Sequence, residues 1–317
     1  MSSPLQLWVS GAASGLLVLA AVWLVGDALY ARRIRARANA PDVRRASTEP
    51  FALNPSGSPA LLLIHGFADG PSVFAQIGPP LAEAGFAVRA LHLSGSGVPP
   101  GQMAGTSLAL WRADIDREIA ALRADAPARP LWLVGHSLGG ALAYDAALRP
   151  GNRIAGLVLL APLVEVSRAR SPLLPPRQWF RLLDRLLIFT DTVESRLPAD
   201  LRDPAARAAY RTDKFIHRDN YRALFDAIDA IRPRAADWRG PLLMVVSPSD
   251  QIVDSSASTF FFAATNAAPA KLQEQYSAGH VLPLDAGHGQ VAAKIIRFLR
   301  DAAGAPTPPP PRQDIVL

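Results

Sequence analysis

The stretch Leu131-Trp132-Leu133-Val134-Gly135-His136-Ser137-Leu138-Gly139-Gly140 reads as a short apolar strand, a G-x-S-x-G turn and the opening of a helix that continues through Ala141, Leu142 and Ala143. Such a turn stops a strand abruptly, and its glycines relieve the crowding where strand meets helix. A serine at the apex has its hydroxyl held out at the carboxyl end of a sheet, over a helix N-terminus. G-x-S-x-G alone is a common string. Here both flanks have the composition that the turn requires.

On either side of this turn, strand-like and helix-like runs alternate. Ala60 to His65 is a continuous apolar strand, as expected where both faces of a sheet are covered. Ser72 to Ala84 suits a helix, and Phe86 to Leu91 a second strand. From Ser107 to Ala124, the residues Leu108, Trp111, Ile115, Ile119 and Leu122 recur at helical spacing. The strand at 131–136 comes next, its helix runs through Leu148, and Ile154 to Ala161 is another strand. Pro241 to Ser247 and a less apolar run near Leu272 to Ser277 complete the strands. A final helix fits Gln290 to Arg300. Strands alternating with helices imply a mainly parallel sheet with right-handed crossovers. Residues 163–238 interrupt the rhythm and are expected as a helical cap over the sheet's carboxyl edge.

A neutral serine is a poor nucleophile. It needs a base to accept its proton and a group to orient that base. After a G-x-S-x-G elbow the chain order is serine, acid, histidine, each on a loop that follows a strand. Asp250, in Ser247-Pro248-Ser249-Asp250-Gln251, lies just past the Leu242–Ser247 strand. Asp254 competes with it, but stands immediately before Ser255 and a helix-like run, where capping is natural. His280, in Ser277-Ala278-Gly279-His280, follows the last strand. His288 is its competitor, with a loop or helix-entry reading. His92 precedes the acid, His217 lies in the cap, and the side chain of His136 should diverge from that of Ser137.

An acyl-transfer reaction also needs preset donors for a tetrahedral oxyanion. The backbone N–H of Leu138 opens the elbow helix and is one candidate. The turn His65-Gly66-Phe67 after the first apolar strand offers the other, from the N–H of Phe67. The Phe67 ring itself can be simple packing.

These pieces resemble the α/β-hydrolase superfamily and, within it, the carboxylesterase and monoacylglycerol lipase group. The matching residues are His65-Gly66-Phe67, Gly135-His136-Ser137-Leu138-Gly139-Gly140, Asp250 with Gln251-Ile252-Val253, and Gly279-His280-Val281. The resemblance covers roughly residues 58–302 and is best at the motifs. It implies an α/β-hydrolase fold with Ser137 as nucleophile, His280 as base, Asp250 as orienting acid, and Phe67 and Leu138 as oxyanion donors. It also implies no metal and no organic cofactor. A small-molecule ester is the expected substrate, and the apolar cap residues Trp179, Phe180, Leu183 and Leu187 suit either a pocket for an apolar acyl chain or ordinary packing of the cap. Two departures stand out. Gly95-Ser96-Gly97 replaces the family's frequent Gly-His-Gly, and the cap aligns with nothing recognisable. Thioester cleavage and acyl transfer to an alcohol use the same apparatus. A non-catalytic lipid- or partner-binding protein of this fold would be expected to lack a triad member.

Charge and hydropathy describe the other end of the chain. The net charge is +6, and half of it sits where Arg32, Arg33, Arg35, Arg37, Arg44 and Arg45 are opposed by Asp27, Asp42 and Glu49. No alternation of basic and aromatic residues accompanies them, so a nucleic-acid partner is not expected. No cysteine is present, which excludes disulfides, thiolate metal sites and cysteine nucleophiles.

From Leu5 to Gly26 the sequence is apolar and uncharged, long enough for a transmembrane helix. Trp8 and Tyr30 flank it as interfacial aromatics would. A cleaved signal would begin with more positive charge and carry a shorter apolar core, and a core helix is seldom apolar on every side. The expectation is a single-pass membrane anchor contacting the lipid bilayer. Because no Lys or Arg precedes Arg32, the C-terminal domain is expected on the cytoplasmic side. The organisation expected is therefore an anchor at 1–31, a basic juxtamembrane linker at 32–58, the hydrolase domain at 59–302 with its cap at 163–238, and a Pro-rich tail at 303–317.

Overall fold

The computed structural model describes residues 4–171, 173–195 and 197–303, so the tail expected from 303 lies outside the described residues from 304 onward. Among the described residues seven strands form one sheet. Its order is β1 (Phe51–Leu53), β3 (Ala87–Ala90), β2 (Ala60–Ile64), β4 (Leu131–His136), β5 (Gly156–Leu160), β8 (Leu242–Val246) and β9 (Ala270–Glu274). Every neighbouring pair is parallel except the edge pair β1–β3.

All residues of β2, β4, β5 and β8 are buried, which explains their uninterrupted apolar sequence. Successive side chains leave a strand on opposite faces. Leu62, Ile64, Leu133, Leu159 and Met244 pack on one face with Trp111 and Ile115 of α4 (Leu108–Asp125) and with Leu142 and Tyr144 of α5 (Leu138–Ala147). Leu61, Leu63, Val134, Val158 and Val245 pack on the other, with Phe74, Ile77, and Ile295 and Phe298 of α10 (His288–Ala303). Each such leucine contributes on the order of 1.5–3 kcal/mol through its burial.

Three expectations change. The single helix expected over 72–84 is a 3₁₀ turn at Pro71–Phe74 followed by a short α2 at Gly78–Glu83. Pro79 and Pro80 lack N–H groups and are tolerated only in a first helical turn, so the helix has to restart there. The cap is also shorter than 163–238. It holds α6 (Pro176–Leu186), the antiparallel pair β6 (Thr192–Glu194) and β7 (Phe215–His217), and α7 (Pro204–Ala209). A further short helix, α3 (Pro100–Met103), lies close to β7. Helix α8 (Arg218–Ile231) instead returns to the main domain, where Ala223, Leu224, Ala227 and Ile228 join the core beside α5.

The third change concerns the linker. Helix α1 runs from Pro4 to Ala38, so residues 32–38 are its last turns and lie against the cap. Its segment Ser14–Ala38 is long and apolar enough to cross a membrane by length and composition, and only 11% of its most apolar window is buried. Leu16, Leu17, Val22, Val25 and Leu29 are all exposed.

Candidate active site

The turn after β4 has the strain that its sequence implies. Ser137 takes φ +53° and ψ −119°, a region that side-chain-bearing residues avoid and that persists only when its surroundings hold it. Those surroundings are specific. Ser137 N–H donates to Leu160 O at 2.9 Å, while Ser137 O receives the N–H groups of Gly140 and Leu163, each at 2.9 Å. A Cβ on Gly135 would fall 2.2 Å from Gly139 O, and one on Gly139 would fall 1.9 Å from Ile64 O. Both positions therefore admit glycine alone.

Two later loops converge on this serine. His280, which follows β9, places Nε2 2.9 Å from Ser137 Oγ and Nδ1 2.7 Å from Asp250 Oδ2. A carboxylate only accepts, so Nδ1 carries the ring hydrogen and Nε2 accepts from the serine hydroxyl. Asp250, on the loop after β8, also receives at Oδ1 the N–H groups of Ile252 and Val253, both at 2.8 Å. Burial alone would raise its pKa. The facing His280 ring and those two N–H groups outweigh burial and hold it below the usual carboxylate value. The Asp250 carboxylate is thus fixed, ionised and aimed at the imidazole.

The other candidates fall elsewhere. Asp254 caps α9 (Ser255–Ala263) by accepting from Ala257 N–H at 3.0 Å. His288 begins α10 and contacts Asp285 O. His217 caps α8 through Asp219 N–H, and His92 contacts Ser96 O. His136 diverges from Ser137 but is not idle: its Nε2 lies 3.1 Å from His280 O. Burial and the nearby His280 push the His136 pKa down to about 3, so it stays neutral and donates to that carbonyl.

Leu138 N–H is the first of α5, one of the donors that a helix leaves without an internal partner. Gly66 packs so closely on the elbow that its Cβ would lie 3.2 Å from Ser137 Cβ, which brings the following Phe67 beside the serine. Phe67 and Ser137 border the same cavity, and the Phe67 ring packs on Tyr221 with centroids 5.0 Å apart.

Two residues unremarked in the sequence hold the loops. Asp200, from the cap, receives His280 N–H on its carbonyl and Gln251 N–H on its carboxylate, each at 2.9 Å. Asp285, fully buried, accepts from the N–H groups of Arg202, Asp203, Gly279 and Ala286. Aspartates in loops give no local sign of such distant partners.

Above the serine lies a cavity of about 980 Å³ between cap and sheet. Leu163, Trp179, Phe180, Leu183 and Leu224 give it apolar walls, so apolar residues of the cap face the site, and Phe180 also packs on Tyr221 and Phe225. Among the described residues no group of three or more His, Asp or Glu side chains could hold a metal ion.

Comparison with known proteins agrees with this architecture. Residues 57–286 match the family model described as serine aminopeptidase, S33. The chain is 26% identical over 204 residues to a monoacylglycerol lipase of Mycolicibacterium smegmatis, covering 62% of this chain and 72% of that one. It is 25% identical over 240 residues to human monoglyceride lipase, covering 72% and 78%. Among solved structures, Paleococcus ferrophilus monoacylglycerol lipase superposes with TM-score 0.67 at 23% identity, over 81% of this chain and 99% of that one. A soluble variant of monoglyceride lipase from Saccharomyces cerevisiae superposes with TM-score 0.70 at 16% identity, over 83% and 98%. At those identities the superpositions speak to the fold, which is that of the α/β hydrolases. The match over most of the chain places this protein in the S33 serine hydrolase family.

Proposed function

We propose that this protein is a membrane-anchored serine hydrolase that cleaves carboxylic esters of lipid-like alcohols, with monoacylglycerols as the model substrate class. The observation that carries this reading is the Asp250–His280–Ser137 chain of hydrogen bonds at the floor of an apolar cavity. Ser137 Oγ attacks the ester carbonyl as its proton passes to His280 Nε2, and Asp250 stabilises the imidazolium. The N–H groups of Phe67 and Leu138 receive the oxyanion. His280 then protonates the departing alcohol, leaving an acyl-serine. Water, deprotonated by the same imidazole, releases the carboxylic acid and restores the serine.

The family description names a peptidase, and the cavity favours esters. An aminopeptidase must hold a free ammonium, usually against an available carboxylate. The carboxylates bordering this cavity are engaged: Asp184 by Arg222, Glu194 by Arg37, Asp213 by the N–H groups of Ala46 and Gly97, and Asp200 by Gln251 N–H. Lipase relatives and an apolar cavity point the same way.

Helix α1 is the anchor in this reading. Its exposed leucines and valines would form a large apolar patch in water, whereas a core helix would be covered. Its last turns pair with the cap through Arg35–Asp191 and Arg37–Glu194, so the helix is built into the domain. The arginines that follow the apolar run support a cytoplasmic side for the domain. Alkaline phosphatase fused after Arg45 should be inactive in bacterial cells, and an active fusion would reverse the orientation.

The substrate reading is tested with a series of monoacylglycerols of increasing acyl length beside aminoacyl p-nitroanilides. The ester series should give kcat/KM rising with acyl length until the cavity is filled. Faster turnover of the anilides would contradict it.

A further inference from the structure

Helix α1 and the cap share a second cavity. Leu19, Val22, Trp23, Gly26 and Tyr30 recur every three or four residues along one face of α1 and border a groove of about 460 Å³, closed on the cap side by Leu187. Leu187 also borders the catalytic cavity. The floor of the groove is open at Gly26, where a Cβ would meet nothing within 4 Å.

The cap segment beside this groove is fastened to the helix. Asp27 Oδ2 receives the N–H groups of Ile188 at 2.7 Å and Phe189 at 2.8 Å, and its Oδ1 receives Thr190 Oγ1 at 2.6 Å. Trp23 Nε1 donates to Leu186 O at 3.0 Å. Thr190, Val193 and Glu194, in and just beyond this fastened stretch, line the catalytic cavity. A carboxylate that directly follows a long apolar run is costly unless its hydrogen bonds are made, and here the cap makes them. The apolar helix and the cavity wall therefore form one unit.

We propose that the groove between α1 and Leu187 is a lateral port, through which the hydrocarbon chain of a bilayer lipid reaches the catalytic cavity. Asp27 is the positioning residue that holds the cap side of the port against the helix. The occupant is a hydrocarbon chain because the walls are mostly apolar and the Asp27 carboxylate and the Trp23 indole N–H, which border the groove, are already bonded to the cap. The groove also runs along a helix whose residues Leu16, Leu17, Val25 and Leu29 are exposed and membrane-compatible. The port rests on the membrane-anchored lipid-esterase reading given above.

The test uses the full chain reconstituted in phosphatidylcholine vesicles, assayed on monoolein within the bilayer and on p-nitrophenyl acetate in the water. Gly26→Leu fills the groove, and leucine is favoured over glycine in a helix, so folding is not at risk. Its ratio of monoolein to p-nitrophenyl acetate turnover should fall by about 10-fold or more. Asp27→Ala, which releases the wall, should lower the same ratio. Gly15→Leu, where a Cβ also meets nothing within 4 Å, is the control and should leave the ratio at the parent value. An unchanged ratio in Gly26→Leu, or equal loss on both substrates, would overturn the port. So would a parent dimer that Gly26→Leu converts to monomer, because a second copy of the chain would then be the occupant. A parent inactive on both esters would instead remove the esterase reading, and the port with it.

Discussion

The carbonyl of Asp200, in the cap, accepts the backbone N–H of His280 at 2.9 Å, while its carboxylate accepts Gln251 N–H at the same distance. One cap residue thus ties together the loops that carry the proposed base and the proposed acid. Misplacing a reacting group by about 1 Å costs on the order of 100-fold in rate. Asp200→Ala leaves the carbonyl and loses the carboxylate. It should lower kcat on a soluble ester by about 10- to 100-fold with little change in KM. Asp200→Asn keeps an acceptor for Gln251 and should recover most of the activity. Steady-state kinetics on the three proteins distinguishes this from general destabilisation, which the Asn variant would not repair.

His280 and His288 are separated by eight positions and by their surroundings. Only His280 reaches Ser137 Oγ and Asp250, whereas His288 contacts a backbone carbonyl at the start of α10. His280→Ala should lower kcat by on the order of 10³ to 10⁶. His288→Ala should remain within about 2-fold of the parent. The reverse ranking in an ester-hydrolysis assay would reassign the base.

Acid should weaken the fold through His65. Its ring is fully buried, with Nδ1 2.9 Å from Gly66 O and Nε2 accepting Leu93 N–H at 3.1 Å. A second ring proton would face that N–H, and burial pushes the pKa down from 6.5 to about 4. The folded state therefore binds the proton more weakly than the unfolded chain does. Stability is complete above pH 6.5 and is lost as the pH falls from there toward 4. Between pH 7 and pH 5 the loss from this group is about 2 kcal/mol. His136 acts in the same direction. Urea unfolding in detergent micelles should show a shallower decline for His65→Gln than for the parent, and parallel declines would contradict the assignment.

The elbow could be read from sequence because its causes are local. Gly135, Ser137 and Gly139 sit within one turn, and the steric demands on them involve neighbours that the strand-helix pattern already implies. Asp250 and His280 were legible for a related reason, since position just after a strand restricts where a loop residue can point. Asp200, Asp285 and Asp27 were not legible in this way. The partners of Asp27 lie 161 to 163 residues away, and before the cap is folded it reads only as the end of an apolar run. The limits of the cap were obscured similarly: α8 has the amphipathic sequence of any surface helix, and only its packing on α5 assigns it to the main domain. The broken helix at 71–83 did carry its signal, in Pro79 and Pro80, which outweighed the apolar periodicity around them.

Ester cleavage at this site requires Ser137 Oγ to be a nucleophile activated by His280. A fluorophosphonate probe phosphonylates such a serine and ignores an ordinary hydroxyl, so labelling of the full chain in detergent, beside Ser137→Ala, is the most direct test. The folded parent should label stoichiometrically and Ser137→Ala should not label at all. A folded parent that fails to react, or a Ser137→Ala variant that reacts as well as the parent, would contradict it.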